Sequence, residues 1–283
     1  MPIKFKEINY VYSKDMPYAY QALNDINLEI AENKITAIIG ETGSGKSTLV
    51  QHLNALLLPT SGTLEIAGYE IKAGVKTPGL KQLRRKVGLV FQFSEYQLFE
   101  ETVIKDVAFG PKNFGDDQEL ALRKAASALK MVGLDQSYFE RSPLDLSGGQ
   151  KRRVAIAGIL AMEPEIIVLD EPTAGLDPKG AAEMISLFST LNKQFHKTVI
   201  LVTHDNEVVY NYADDVILLS HGHIELHTSV KELFDDYELL EKYNLIKPQI
   251  VELKQLLNEK GFKLGKDLRD IKSVVKALTG GKK

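Results

Sequence analysis

One stretch of eight residues constrains the fold of this sequence more than any other feature. It satisfies the pattern G-x-x-x-x-G-K-[ST] and consists of Gly40-Glu41-Thr42-Gly43-Ser44-Gly45-Lys46-Ser47. An aliphatic run, Ile35–Ile39, precedes it and predicts a buried parallel strand, and a helix is predicted to follow at Ser47–Leu57, ended by Pro59. Glycines let the backbone curl so that its N–H groups point at phosphate oxygens, and a helix N-terminus favours anions. The strand, loop and helix together predict a phosphate-binding loop.

Two side chains of this loop have predicted chemical roles. Lys46 is placed to reach the β- and γ-phosphates of a nucleotide, and the hydroxyl of Ser47 to bind Mg²⁺. The alternative is a glycine-rich turn followed by an exposed lysine, which the flanking strand and helix disfavour.

A pair of acids ends a second aliphatic run. Asp170 and Glu171 directly follow the predicted strand Ile166–Leu169. Ligands of open α/β sheets bind at the carboxyl ends of strands, so both acids are expected to face the same crevice as Lys46. Asp170 suits Mg²⁺, directly or through water, and Glu171 suits activation of an attacking water as general base. Taken alone, the pair could also cap a helix before Pro172.

Composition limits the class of protein. The chain has 283 residues, a formal net charge of −3 and a pI of about 6.1. This balance argues against a general nucleic-acid binder, which carries a basic stripe. The absence of cysteine excludes disulfides and thiolate metal sites. The aliphatic runs are shorter than the ~20 residues of a membrane span, so we expect any membrane role to come through a partner.

Apolar periodicity predicts an α/β fold. Alternating, β-rich segments predict an antiparallel subdomain from Ile3–Tyr12, Ile26–Ile30 and Thr63–Ala67. Aliphatic strands alternate with helical patterns farther along, which is typical of a parallel sheet. The predicted strands are Val87–Phe91, Ile166–Leu169 and Val199–Val202, and the predicted helices are Asp116–Val132, Ser147–Ala161 and Ala181–Phe195.

The composition changes after Ser229, where Ser229–Glu232 fits a capping box. Two apolar stripes follow, formed by Ile250, Leu253, Leu256 and Leu257, closed by Gly261, and by Leu268, Ile271, Val274, Val275 and Leu278. They predict a helical appendage at residues 229–283, with a frayed tail at Gly280–Lys283. The stripes are expected either to pack on the main domain or to contact another subunit.

A second glycine-rich turn identifies the family that the sequence resembles. Leu146-Ser147-Gly148-Gly149-Gln150 is similar to the LSGGQ signature of the ABC ATPases, at the family's spacing before the Ile166 strand. The resemblance implies an active ATPase that binds ATP and Mg²⁺. It also implies a head-to-tail dimer in which one subunit's signature closes over ATP held by the other subunit's phosphate loop.

Other positions match the family's motifs one by one. Tyr12 resembles the aromatic that stacks on adenine, with Tyr10 as the alternative, and either could instead be a strand surface aromatic. Gln92 resembles the Q-loop glutamine that senses Mg²⁺ and water, and His204 the switch histidine that contacts the γ-phosphate. Asp177 lies in a stretch similar to the D-loop that signals across the dimer. The resemblance therefore implies ATP binding by Tyr12 and Gly40–Thr48, metal binding by Ser47, Gln92 and Asp170, and catalysis by Glu171, His204 and Gln92.

The segment Phe91–Thr102 resembles the Q-loop region of energy-coupling factor (ECF) ATPases, which usually read F-Q-x-P-E-x-Q-L-F. Val107–Asn113 is similar to the same group, and Pro172–Gly180 to its second ATPase type. Ser94 departs from the usual proline and is expected to loosen one turn. The aromatic residues of this region are expected to form core between subdomains, or to line a groove for a coupling helix of a membrane partner; they are Phe91, Phe93, Tyr96 and Phe99.

The resemblance implies partners and a location. They are a second ABC ATPase, usually a different one, a transmembrane T component, and exchangeable S components that bind vitamins or metal ions, with no nucleic acid. The chain is then expected at the cytoplasmic face of the cell membrane. The alternatives are the motor of another ABC importer or exporter, a non-transport ABC ATPase, and a non-ABC P-loop kinase.

The fold expected from this resemblance is an α/β, RecA-like P-loop NTPase core of the ABC type at residues 1–228. It would contain an antiparallel β subdomain and a helical subdomain at about residues 95–160, followed by the C-terminal helical extension at residues 229–283.

Overall fold

Two β-sheets with helices packed on them form the chain. The computed structural model describes residues 2–262 and 271–278. The predicted stripe residue Leu268 and the predicted frayed tail, residues 280–283, lie outside the described residues. No helix in the described ranges is long and apolar enough to cross a membrane.

The first sheet is antiparallel and has the order β2-β1-β4-β5. Ile3, Phe5 and Ile8 point inward along its central strand, which produces the alternation in the sequence. The antiparallel subdomain predicted from three segments is thus confirmed, although β2 begins well before Ile26 and β5 was not predicted. The strands are β1 (Ile3–Tyr12), β2 (Tyr20–Ile30), β4 (Ser61–Ile66) and β5 (Tyr69–Lys72).

The second sheet has the order β10-β9-β3-β8-β7-β6, in which β10 is an antiparallel edge strand. All residues of β3, β6, β7 and β8 are buried, and these four strands are parallel. Burial on both faces explains their continuous aliphatic sequences. The strands are β3 (Ile35–Ile39), β6 (Val87–Val90), β7 (Ile166–Asp170), β8 (Thr198–Val202), β9 (Asp215–Ser220) and β10 (His223–Ser229).

Helices cover both faces of this sheet. Successive residues of β7 belong to two different cores. Ile166 and Val168 pack towards the antiparallel sheet, and Ile167 and Leu169 pack towards helices. The helices of the main part are α1 (Lys46–Leu53), α2 (Leu80–Lys86), α3 (Val103–Asn113), α4 (Gln118–Met131), α5 (Gly148–Leu160), α6 (Pro178–Phe195) and α7 (Asn206–Tyr212). Of these, α3, α4 and α5 lie in the predicted helical subdomain.

The predicted capping box at Ser229–Glu232 is confirmed, since Ser229 and Glu232 bond each other's backbone reciprocally. The helices that follow are α8 (Val230–Asp235), α9 (Tyr237–Lys242), α10 (Gln249–Glu259) and α11 (Ile271–Leu278). Ile250 and Val274 belong to the same core as Ile167 and Leu169 of β7, whereas Leu256 and Val275 are half exposed. One side of this extension therefore packs on the rest of the chain, and the subunit contact and the domain boundary at Ser229 remain predictions.

Candidate nucleotide-binding site

The predicted site residues follow the carboxyl ends of four parallel strands. Gly40 follows β3, Gln92 lies just beyond β6, Asp170 ends β7 and His204 lies just beyond β8. Because these strands are neighbours in one parallel sheet, their carboxyl ends meet at one edge. A cavity of about 480 Å³ opens there. The predicted residues that line it are Thr42, Gly43, Gly45, Lys46, Ser47, Thr48, Gln92, Asp170, Glu171 and His204.

Among the described residues predicted to bind ATP, Tyr12, Gly40, Glu41 and Ser44 lie outside this lining. Gly40 and Glu41 instead support Lys46, whose Nζ donates to both of their carbonyl oxygens at 2.7 Å. Ser44, a residue of the same loop, is buried. Gly40, Glu41 and Ser44 therefore shape the loop. Tyr12 is considered below.

Gly40 and Gly45 are required by close backbone approach. Gly40 has φ +143°, and a Cβ there would lie 2.1 Å from the carbonyl oxygen of Leu219. Gly45 has φ +104°, and its Cβ would lie 2.7 Å from the carbonyl oxygen of Ala22. Burial lowers the pKa of Lys46, and the nearby carboxylates of Glu171 and Asp170 oppose that shift. The loop thus holds the ammonium group of Lys46 near the carboxylates of Glu171 and Asp170.

Asp170 is buried at the end of β7 with 6% of its surface exposed. Burial raises its pKa, while a hydrogen bond from Ser47 and the charge of Lys46 lower it. The buried Asp170 carboxylate, the Ser47 hydroxyl and the Gln92 amide line the same cavity, and together they form an oxygen donor set that suits Mg²⁺. The residues present therefore fit this metal ion.

Glu171 and His204 contact each other directly. Nδ1 of His204 lies 2.9 Å from Oε1 of Glu171. The Glu171 side chain is 14% exposed, and that of His204 is 79% exposed. Glu171 has φ +50°, a left-handed conformation that a non-glycine residue rarely adopts. Its N–H donates to the carbonyl of Val202 at 3.0 Å, which holds the backbone in place.

The aromatic residues beside the cavity form a connected set. The Tyr12 hydroxyl lies 3.1 Å from Oγ1 of Thr48, and the Tyr12 ring packs edge-on against Tyr10 at 4.8 Å. Tyr10 packs on the core that faces the antiparallel sheet and on His52, so Tyr12 is the more outward of the two predicted candidates.

Tyr20 lines the nucleotide cavity and was not predicted as a site residue. It pairs with Tyr12 across the β1–β2 hairpin. The signal that could have identified it is the position of Tyr20 opposite Tyr12 in a hairpin, but the sequence predicted that β2 begins only at Ile26.

A sequence model of the ABC transporter family matches residues 23–174. The chain belongs to the ABC transporter family. One relative is the energy-coupling factor transporter ATP-binding protein EcfA2 of Spiroplasma kunkelii, 52% identical over 278 residues, which are 98% of this chain and 91% of that protein. The protein of the same name from Lactobacillus delbrueckii subsp. bulgaricus is 54% identical over 264 residues, 93% of this chain and 92% of that protein.

Solved structures agree. CbiO1 from Clostridium perfringens, part of the ABC transporter complex cbiONQ, is 38% identical with a TM-score of 0.73, covering 89% of this chain and 98% of that one. A dimeric ATP-binding cassette in a post-hydrolysis state, bound to ADP and Pi, is 33% identical with a TM-score of 0.72, covering 81% of this chain and 98% of that one. The predicted fold class, ATPase activity and ECF type of this ABC ATPase are thereby confirmed, and a non-ABC kinase is excluded.

The signature of this ABC ATPase lies apart from its own phosphate loop. Ser147 caps α5: its Oγ accepts from the backbone of Gln150 at 3.3 Å, and Oε1 of Gln150 accepts from the backbone of Ser147 at 2.9 Å. Leu146 is buried below this turn, and Gly148 has open space around its Cβ position. Within the described residues, none of the five signature residues, Leu146, Ser147, Gly148, Gly149 and Gln150, lines the nucleotide cavity.

The expected loosening at Ser94 is wrong. The Ser94 N–H closes a turn by donating to the carbonyl of Phe91 at 3.2 Å, a bond that proline could not make. Phe93 has φ +60°, which is disfavoured before a proline. In this chain serine therefore permits a tight turn after Gln92.

One aromatic residue near this turn is part of the core and three are exposed, so the role of the exposed ones in a partner groove stays a prediction. Phe91 packs against the core that faces the antiparallel sheet, as one alternative predicted. Phe93, Tyr96 and Phe99 are at least half exposed. Asp177 lies at the start of α6 and accepts from the N–H of Gly180 at 3.3 Å, so its cross-dimer role stays a prediction.

Proposed function

We propose that this chain is an ATP-hydrolysing subunit of an energy-coupling factor transporter and powers uptake of vitamins or metal ions. The observation that carries the proposal is the meeting of Lys46, Asp170, Glu171 and His204 in one cavity, combined with an ECF-type sequence over nearly the whole chain. A motor of this kind does not touch the cargo, so the transported substrate follows from its membrane partners.

ATP lies with its phosphates on the loop of Gly40–Ser47 and its base towards Tyr12. Backbone N–H groups at the start of α1 surround the phosphates, and the Lys46 ammonium neutralises β- and γ-oxygens. Ser47, Asp170 and Gln92 would hold Mg²⁺, which would supply positive charge to neutralise the phosphate oxygens. The assignment is supported by the position of all three residues in one cavity and by the Ser47 hydroxyl, which opposes the rise in the pKa of Asp170.

Hydrolysis uses the contact between Glu171 and His204. The Glu171 carboxylate accepts a proton from the water that attacks the γ-phosphorus, while the bond from that phosphorus to the β–γ bridging oxygen breaks. Nδ1 of His204 orients the Glu171 carboxylate, and its other ring nitrogen is proposed to contact the γ-phosphate. Their separation of 2.9 Å supports a pair that acts together.

Closure needs a second ATPase. The signature turn at Ser147 presents free space at a helix N-terminus, where an anion binds favourably, but it lies away from the chain's own phosphate loop. A head-to-tail dimer lets each signature cover the ATP of the other subunit. The partner is expected to be a different ECF ATPase, and Asp177 to lie at their contact.

The membrane partners are a transmembrane T component and exchangeable S components, with the chain at the cytoplasmic face. The exposed Phe93, Tyr96 and Phe99 next to the Q-loop supply an apolar surface for a partner helix. Movement of the Q-loop on ATP closure would then reach the membrane proteins through this surface.

Co-purification tests this proposal. The tagged chain is isolated from detergent-solubilised native membranes, and the proteins that accompany it are identified by mass spectrometry. A second ABC ATPase, one small T-type membrane protein and several S components are expected. A single pair of large permease subunits would overturn the ECF assignment and make the chain the motor of another ABC transporter.

A further inference from the structure

Arg152 lies almost fully buried on α5, two residues after the signature, with 3% of its surface exposed. Its guanidinium holds Glu95 with two parallel contacts, Nε to Oε2 at 3.1 Å and Nη2 to Oε1 at 3.2 Å. The remaining nitrogen, Nη1, donates to the carbonyl oxygen of Ala174. One side chain therefore joins three segments of the chain.

Both partners of Arg152 belong to loops that form the nucleotide cavity. Glu95 lies three residues after Gln92, and Ala174 three residues after Glu171. Gln92, Glu171 and Ala174 all line the cavity. The N–H of Ala174 also donates to the carbonyl of Glu171 at 3.2 Å. Arg152 thus lies behind the cavity and links the Q-loop wall to the Glu171 wall.

The ion pair between Arg152 and Glu95 is better suited to fixing the positions of its partners than to stabilising the fold. A buried ion pair adds little net stability relative to well-packed apolar residues. The planar guanidinium of arginine binds both oxygens of a carboxylate at once and still has an N–H group for another acceptor. The ammonium group of lysine is a point charge without this fixed geometry. The arrangement of Glu95 and Ala174 around Arg152 uses both properties.

We propose that Arg152 is a positioning residue that makes the Q-loop and the Glu171 loop move as one unit with the signature helix. Glu95 also lies among the exposed Phe93, Tyr96 and Phe99, so the link connects the proposed membrane-partner surface to the catalytic loop. The inference deepens the proposed function, but its test measures ATP hydrolysis.

The experiment compares Arg152→Lys with Arg153→Lys in the full chain, assayed in the complex with the second ATPase that co-purifies with it. Arg153 is the matched control: it neighbours Arg152 on α5 and makes a similar number of polar contacts, to the carbonyl of Val132 at 2.7 Å and to Glu183 at 2.8 Å. Steady-state ATP hydrolysis and the melting temperature are measured, with the assay run well below the lowest melting temperature.

Arg152→Lys is expected to lower kcat by about tenfold to a hundredfold, because small misplacement of catalytic groups has effects of this size. The KM for ATP should change by less than about twofold, since the phosphate loop is untouched. Arg153→Lys should leave both constants near the wild-type values. Equal kcat values for the two variants, or a rise in KM in place of the loss in kcat, would overturn the inference.

A second pair of variants separates positioning from a general loss of structure. Glu95→Gln keeps the shape of the side chain but removes its charge, and it should reproduce the loss in kcat. The double variant Glu95→Gln with Arg152→Lys should be no slower than the slower single variant, because both act through one link. Losses in kcat that multiply would show independent effects and contradict the proposal. Co-purification, described above, tests the proposed function separately.

Discussion

Glu171 stands in a left-handed backbone conformation that places its carboxylate against His204. Such a conformation costs about 1–3 kcal/mol for a non-glycine residue and persists only where its surroundings fix it. The hydrogen bonds of Glu171 to Val202 and Ala174 supply that fixation. At this position the chain keeps a geometry that would serve the proposed reaction at the expense of local stability.

Tyr20 and Tyr12 are predicted to contact the base of ATP. The chain contains no tryptophan, so Tyr20→Trp and Tyr12→Trp each introduce a single tryptophan, whose emission is excited selectively over that of the tyrosines. ATP should change the emission of both variants because the base stacks on or beside the indole, and inorganic triphosphate should not. Tyr18→Trp is the control, since Tyr18 is 71% exposed in the same hairpin loop. An unchanged signal at position 20 would remove Tyr20 from the site.

His52 is predicted to make the fold sensitive to acid. It is fully buried, its Nδ1 lies 2.7 Å from the carbonyl oxygen of Thr48, and burial lowers its pKa to about 4 from an ordinary value of 6.5. Because the unfolded chain binds this proton more readily, stability is complete above the ordinary pKa and falls as the pH drops towards 4. From about pH 7 to about pH 5 this residue should remove ~2 kcal/mol from the free energy of unfolding.

Chemical denaturation of the wild type and of His52→Gln at both pH values measures this contribution. The variant should lose less stability between the two conditions, by the amount assigned to His52. The other five histidines are the same in both proteins, so their contribution cancels from the comparison. An identical loss in both proteins would show that His52 does not titrate as its burial requires.

The first turn of α5 combines a helix cap with the signature sequence. This turn must both satisfy its own backbone through the Ser147–Gln150 capping box and present the signature to a partner. A helix N-cap of this kind is worth about 1 kcal/mol. The same serine therefore has a structural role in the free chain and a proposed phosphate contact in the dimer.

Two substitutions separate these roles. Ser147→Ala should lower the free energy of unfolding by about 1 kcal/mol, whereas Ser147→Asp should keep it, since aspartate caps helices well. Both should impair ATP hydrolysis, the aspartate variant because its charge repels the γ-phosphate. Urea denaturation and hydrolysis assays measure the two effects. Full hydrolysis by Ser147→Asp would show that Ser147 only caps α5.

The sequence predicted the phosphate loop and the parallel strands β3, β6, β7 and β8 because their physical demands act locally, although β9 was missed despite its own aliphatic run. Strands buried on both faces need continuous aliphatic runs, and the loop needs glycine where the backbone approaches Leu219 and Ala22. Elements without such demands were missed. The edge strand β10 alternates exposed and half-buried residues, and α3 contains Gly110-Pro111 near its end, which obscures a helical pattern.

At the scale of the whole molecule, the topology of the parallel sheet assembles the site. Lys46, Asp170 and His204 are far apart in sequence, but each follows or ends a buried parallel strand, so their convergence could be predicted. The positions of Tyr20 and Arg152 could not. Arg152 contacts Glu95 from 57 residues away, and only the packing of α5 against the Q-loop brings them together.

The central claim is that this cavity hydrolyses ATP with Glu171 as the general base. The most direct measurement is the ATP hydrolysis rate, together with the amount of retained ATP, of purified Glu171→Gln, with Glu165→Gln as the control. Glu165 precedes the opposite end of the same strand and is exposed. Glu171→Gln should bind ATP, retain it in a closed dimer and lose hydrolysis by a factor of at least ~10², while Glu165→Gln behaves as the wild type. Normal hydrolysis by Glu171→Gln would contradict the assignment of the general base and the mechanism built on it.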